Sequence, residues 1–287
     1  MSPAKVVDSH IHFWQLSKGW YTALEPHMTI LLKDHLPSDL APLIKAAGVD
    51  QIVVVEAAET VEETHFVLGL AQRYDFIGGV VGWVDLASPD IASTLRTLKA
   101  NSLYKGVRPC HDDNKTLGWM ANKANDIGFN ALVDLNLSFD ALIQNFRELP
   151  QIVSVAERFP KLTIILDHLG KPDIANDIFA SWAADIERLA KHPNVVCKFS
   201  GILNQAGRGW SLQGLKPYAN HVITCFGEDR LLWGSDWPPA RLTEEYDVGW
   251  KVGHELVAHL PARAQEKIFG GNATRIYRLN SAAAPAQ

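Results

Sequence analysis

Eight short β-branched segments alternate with amphipathic helix-like segments, no linker divides them, and polar residues collect where the β segments end. The first two features predict parallel strands joined by helical crossovers. Eight such units in about 250 residues predict an α/β protein of the (β/α)8 TIM-barrel class, whose functional groups sit at the C-terminal ends of the strands.

In chain order the strand segments are KVVDSHIHF (5–13), QIVVVEA (51–57), FIGGVVGWV (76–84), YKGVRP (104–109), ALVDLN (131–136), LTIILDHL (162–169), NVVCKFS (194–200) and RLLWGSD (230–236). Between them, 37–48, 60–74, 90–100 and 149–160 carry apolar residues at intervals of three and four, the helical period. The stretches LPSD and SPD before Leu40 and Ile91 read as helix starts, and Gly48 as a helix stop. One domain is expected over 1–280, followed by a flexible tail, SAAAPAQ, at 281–287.

Composition narrows the function. With 287 residues, 47% of them hydrophobic, the chain can bury a substantial core. Its 27 basic and 32 acidic residues give a net charge of −5 without a long run of either sign. That balance argues against a nucleic-acid or anionic-membrane surface and leaves a small molecule as the expected partner. Three separated cysteines, Cys110, Cys197 and Cys225, read as buried thiols rather than a disulfide framework. With no apolar stretch near the ~20 residues of a membrane span, and no signal-peptide core, the expected location is the cytoplasm. Composition does not distinguish a monomer from a homo-oligomer.

The strand ends carry the chemistry. Side chains at i and i+2 of a strand share a face, so Val6, Asp8, His10 and His12 are expected on one side of the first strand. Strand four ends in Arg108, strand six in Asp167 and His168, strand seven in Lys198 and Ser200, and strand eight in Asp236. A barrel would bring His10, His12, His168 and Asp236 together as a first shell for zinc or a similar divalent ion, with a position left for water. Such an ion polarises an ester carbonyl and lowers the pKa of water to about 7. Asp236 would take the proton of that water and pass it to the leaving oxygen. Arg108, whose planar fork suits a carboxylate, and Lys198 are expected to bind substrate.

Trp14, Trp20, Tyr21, Trp83 and Trp237 are candidates to wall a sugar-like ring, with core packing the simpler reading of Trp83. The loop 15–36 is long for a barrel, as lids and pocket walls often are, and His27 could reach the site from it. His65, His192, His221, His254 and His259 read as ordinary solvated or hydrogen-bonded residues. No serine sits in a nucleophile elbow, and IGGVV lacks the spacing of a phosphate loop.

From DSHIHFW through VVGWVDL, KGVRP, ILDHLGKP and NVVCKFSGI to LLWGSDWP, the chain resembles the amidohydrolase superfamily over nearly its whole length. The resemblance is to the amidohydrolase-related lactonase branch that includes sugar-acid lactonases such as L-fuconolactonase. It implies a (β/α)8 hydrolase opening a small lactone, with His10, His12, His168 and Asp236 as the site and Asp236 acting on the attacking water. Arg108 stands at strand four where two-metal members carry a bridging lysine, cysteine or glutamate, which implies one metal at most, zinc being the expected ion. Ile11 and Glu56 stand where glutamine is usual, and RPCHDD follows at 108–113, so the lactone is left open; Glu56 is placed among the substrate-binding residues. Two other readings stay open: a metal-dependent decarboxylase of the same superfamily, and a binding protein that has kept the ligands without the activity.

Overall fold

The computed structural model describes residues 5–109 and 118–279. Cys110, the rest of the segment that follows Arg108 and the tail lie outside the described residues.

Eight parallel strands run in the order β1 to β8: Val7–Ile11, Gln51–Val55, Ile77–Gly82, Tyr104–Val107, Ser138–Ala141, Ile164–Leu166, Val195–Phe199 and Leu231–Trp233. Parallel pairing steps from each strand to the next in sequence. The ring closes through a parallel bridge between Ile11 and Trp237, in which His12 N–H donates to the Trp237 carbonyl at 2.8 Å. Helices follow the strands around the outside: α1 Pro37–Ala47, α2 Val61–Ala71, α3 Ile91–Lys99, α4 Asp126–Asp134, α5 Leu149–Arg158, α6 Ala180–Ala190, the short α7 Ile202–Ala206, α8 Leu212–Phe226 and α9 Tyr246–Val257. Short α10, Ala262–Glu266, and α11, Asn272–Ile276, end the described chain. The expected barrel is therefore present, with the seven matching strands two to five residues shorter than the segments that mark them.

Local signals account for most boundaries. Pro37 opens α1, where its missing N–H costs no hydrogen bond, and Asp39 takes the Leu36 N–H at 2.8 Å. Gly48 then ends the helix at φ 73°, a left-handed conformation that glycine adopts without a Cβ clash. Thr60 caps α2 by accepting the Glu62 N–H.

One strand differs. The run 131–136 is not the fifth strand: Asp126–Asp134 is helix α4, and the strand is Ser138–Ala141, SFDA. A short apolar run has no periodicity that separates strand from buried helix. The true strand escaped notice because Ser138 and Asp140 put polar groups where an apolar pattern was sought.

Two cores result. Outward-facing strand residues pack under the helices, with Phe129, Phe139 and Trp182 fully buried there. Inside the barrel, Val7, Val53, Val55, Val81, Ile165 and Val196 meet Ala273, Ile276, Tyr277 and Leu279 of the last turn of the chain. The C-terminal segment thus plugs the bottom of the barrel and leaves the top to the polar strand ends. Among the described residues no helix is long and apolar enough to cross a membrane. Cys197 is buried and Cys225 half-buried, both as free thiols.

Candidate active site

A shift of register between Asp8 and Ile11 sets the first strand's contribution. Val7 faces the barrel interior and Ile11 the outer core, so the irregularity reverses the alternation between them. Asp8 therefore does not share a face with the histidines, contrary to strict alternation. Its carboxylate accepts the backbone N–H groups of Ser235 at 2.9 Å and His10 at 3.1 Å and the Tyr246 hydroxyl at 3.1 Å, tying β1 to the β8 end and to α9.

His10, His12, His168 and Asp236 converge at the top of the barrel. Asp236 Oδ1 lies 3.7 Å from His10 Nε2, 3.4 Å from His12 Nε2 and 4.0 Å from His168 Nε2. Their backbone holds them there: His168 at φ 53° and Asp236 at φ 62° are left-handed, a conformation that costs a non-glycine residue about 1–2 kcal/mol and recurs at functional sites. His168 also needs a glycine beside it. A Cβ on Gly201, itself at φ 66°, would stand 2.7 Å from His168 Nδ1. Gly201→Ala is accordingly expected to lower kcat at least about tenfold by displacing the imidazole, and to destabilise the fold by about 1–2 kcal/mol. Turnover and thermal melting check both, and unchanged turnover would mean that the ring position is unimportant.

The protonation pattern suits a cation. Carbonyl oxygens only accept, so His12 Nδ1 must carry the proton it donates to Val55 O at 2.9 Å and Glu56 O at 3.0 Å, which leaves Nε2 bare. His10 Nε2 stands 3.0 Å from that bare nitrogen, while His10 Nδ1 faces Asp167 Oδ1 at 3.6 Å. A proton placed on Nδ1, toward the carboxylate, would set two lone pairs against each other unless a cation lies between them. Burial keeps the three imidazoles neutral, pushing His10 well below its ordinary pKa and His168 down to about 4. Burial opposes the charge on Asp236, but the imidazoles, His168 foremost, override it and hold the carboxyl below the usual range. Neutral imidazoles beside an ionised carboxylate are the protonation state that a divalent ion requires. The ligand atoms of His10, His12 and Asp236 lie within 4.8 Å of one another, as do those of His10, Asp167 and His168, so His10 belongs to both sets. The residues present therefore fit a divalent ion.

The described barrel matches the amidohydrolase family along residues 7–279. The chain belongs to the amidohydrolase family. Among its relatives, the L-fucono-1,5-lactonase of Burkholderia ambifaria is 37% identical over 282 residues, covering 96% of each chain. That of Burkholderia multivorans is 32% identical over 285 residues, 95% of this chain and 96% of the relative. A solved amidohydrolase from Burkholderia multivorans with bound zinc superimposes with a TM-score of 0.91 at 31% identity, covering 96% of this chain and all of that one.

In this amidohydrolase His12, His168 and Asp236 open onto a cleft of about 320 Å3, with His10 buried behind them. The loop 15–36 forms one wall of it, as its length suggested, through Trp20, Tyr21, Leu24 and Met28 beside Trp14. Trp14 is anchored by its indole N–H, which donates to the Lys33 carbonyl at 2.8 Å. Glu56 and Arg108 line it as well.

Several expected site residues stand elsewhere or do something else. His27 is exposed, paired at 3.2 Å with Glu25, and does not line the cleft, because the loop turns it to solvent. Trp237 packs into the core against Phe13, and neither it nor Trp83 lines the cleft. Lys198 does not line the cleft: it is wholly buried inside the barrel, 2.6 Å from Asp140 and 3.1 Å from Asp167. Arg108 reaches the cleft, but its Nε donates to Glu56 Oε1 at 2.8 Å and its Nη2 to the Glu56 carbonyl at 2.6 Å. The fork expected to hold a substrate carboxylate is thus already held. Burial pushes Glu56 up to about 7 in spite of Arg108.

Three polar residues complete the site without having been given a role by the sequence reading: Asp167 under His10, Ser200 at 3.0 Å from His168 Nδ1, and Asp140 behind Lys198. Asp167 and Ser200 carried a usable signal, since each occupies a recognised strand end. Asp140 carried none, since SFDA has no apolar run to mark it as a strand.

Proposed function

We propose that this protein is a hydrolase of carboxylic esters that opens a small, uncharged sugar-acid lactone. The reading rests on Asp236 Oδ1, 3.4 to 4.0 Å from three imidazole nitrogens, at the floor of a cleft with one aromatic wall. The cleft volume lies at the low end of the about 300–1,000 Å3 typical of small-molecule sites, which suits a molecule of monosaccharide size. The two L-fucono-1,5-lactonases among the relatives support the same class.

The charges of the lining favour an uncharged substrate. Glu56, Glu59 and Asp236 face the cleft against Arg108 and Lys171, and Arg108 is engaged by Glu56. A lactone bearing carboxylates would meet three carboxyl groups and an arginine whose fork Glu56 already engages, whereas hydroxyl groups can donate to Glu56 and Glu59. Trp14, Trp20 and Tyr21 offer flat apolar faces to the ring.

A divalent ion, zinc by preference, held by His10, His12, His168 and Asp236, would supply Lewis acidity toward the lactone carbonyl. The chain's own residues handle the protons. Asp236 accepts a proton from the attacking water as its oxygen bonds to the carbonyl carbon, then returns that proton to the ring oxygen as the ring C–O bond breaks. The Val55 and Glu56 carbonyls keep the His12 proton on Nδ1, so this ring turns only a lone pair toward the reacting centre. Ser200 Oγ, 3.0 Å from His168 Nδ1, holds that ring in place from the side.

A pH-indicator screen with and without added zinc or manganese tests the reading. Aldonolactones are expected to exceed unsaturated dicarboxylate lactones by at least tenfold in kcat/KM, about 1.4 kcal/mol. Faster opening of a dicarboxylate lactone would reverse the substrate assignment, and carbon dioxide release from an unsaturated acid without lactone opening would replace the reaction.

A further inference from the structure

Directly below the histidines, the barrel interior holds a layer of charge that the hydrolytic steps do not use. Asp140 of β5, Asp167 just past the end of β6 and Lys198 of β7 gather inside the barrel, and all three are 0% exposed. One ammonium serves both carboxylates: Lys198 Nζ is 2.6 Å from Asp140 Oδ2 and 3.1 Å from Asp167 Oδ1. From the plug at the barrel bottom, the Tyr277 hydroxyl donates to the same Asp140 Oδ2 at 2.6 Å. Ser138 Oγ donates to the other oxygen of Asp140 at 3.2 Å.

At the upper end the pairing is incomplete. Asp167 Oδ1, paired with Lys198, also faces His10 Nδ1 at 3.6 Å, and Oδ2 faces Arg108 Nη1 at 3.7 Å; among the described residues His10 Nδ1 has no hydrogen-bond partner. A buried imidazole with a carboxylate on one side places its proton on that side. The other nitrogen of His10, Nε2, is the one turned toward His12 and Asp236.

We propose that Tyr277, Asp140 and Lys198 are positioning residues that hold the Asp167 carboxylate against His10 Nδ1 and so fix His10 as the Nδ1–H tautomer with Nε2 bare toward the site. The two carboxylates compete for one ammonium, and the Tyr277 hydroxyl bears on the competition: by sharing Asp140 Oδ2 it leaves Lys198, 2.6 Å from Asp140, able to serve Asp167 at 3.1 Å as well. The last turn of the chain, 137 residues beyond Asp140, thereby sets the orientation of a ring on the first strand. The inference takes from the proposed function only that His10 serves the site through Nε2.

The test uses full-length protein with 15N-labelled histidine, stripped of metal by chelation, with His10 assigned by comparison with His10→Gln. The imidazole 15N shifts report the tautomer without substrate or turnover, so they stand or fall apart from the lactonase reading. Wild type is expected to show His10 as Nδ1–H. Tyr277→Phe, which removes one oxygen and keeps the shape, is expected to shift part of the population to Nε2–H and to weaken zinc binding, measured by chelator competition, by about fivefold or more. Lys198→Met is expected to shift the tautomer further and weaken zinc about 10–100-fold, the range for losing a partner behind a metal ligand. Should Lys198→Met fail to fold, Tyr277→Phe decides. An Nε2–H His10 in wild type, or a folded Tyr277→Phe with unchanged tautomer and zinc affinity, overturns the proposal and leaves the layer as packing alone.

Discussion

Asp236→Asn is expected to lower kcat by about 10²–10⁴-fold, or about 2.7–5.5 kcal/mol of barrier, with little change in KM. The substitution keeps size and hydrogen-bonding reach and removes the base. Backbone strain does not confound it, because Asn tolerates the left-handed region about as well as Asp, and Asp236 sits at φ 62°. Helix capping does not confound it either. The Asp236 carboxylate faces His12 and His168, and the short helical turn that follows, Pro239–Leu242, takes no side-chain cap; only the Asp236 carbonyl serves it, accepting the Ala240 N–H at 2.8 Å. The melting temperature should therefore stay near wild type while chemistry fails before binding does. Steady-state kinetics with a melting curve distinguish the outcomes, and a stable, fully active Asn variant would remove Asp236 from the proton transfers.

Removal of the first-strand histidines is expected to be comparably severe, with the two positions separable by stability. His10→Ala and His12→Ala should each weaken zinc and lower kcat/KM by at least about 10²-fold, since each deletes a nitrogen aimed at Asp236. His10 is wholly buried between Asp167 and His168, so its loss also opens a cavity and leaves a buried carboxylate without its neighbour. That should destabilise the fold by about 2–4 kcal/mol. His12 lines the cleft, where water can replace the ring, and its removal should cost about 1 kcal/mol, chiefly the bonds to the Val55 and Glu56 carbonyls. At about 2–4 °C per kcal/mol for a chain near this size, His10→Ala should melt clearly below His12→Ala. Wild-type turnover in either variant would dissolve the site as described.

The barrel was legible because seven of its eight strands lie in β-branched runs separated by segments of helical period. Buried parallel strands must be apolar on both faces, so physics writes them into composition. The site was legible in outline for a related reason: polar groups at apolar strand ends, such as His10, His12, His168 and Asp236, are conspicuous where burial would otherwise exclude them. Three matters were decided only by the packed chain. The parity of the first strand turned on a register shift between Asp8 and Ile11 that no residue type announces. The fifth strand, SFDA, carries its polar side chains into the barrel, where their partners come from β7 and from Tyr277. Arg108 and Lys198 looked like groups for a substrate, yet the fold supplies their counter-charges from strands 52 and 58 residues away in sequence. A charge records in the sequence only that it needs a partner. Which partner it finds depends on distances across the barrel of a few ångströms, and these exist only after the strands have closed into a ring.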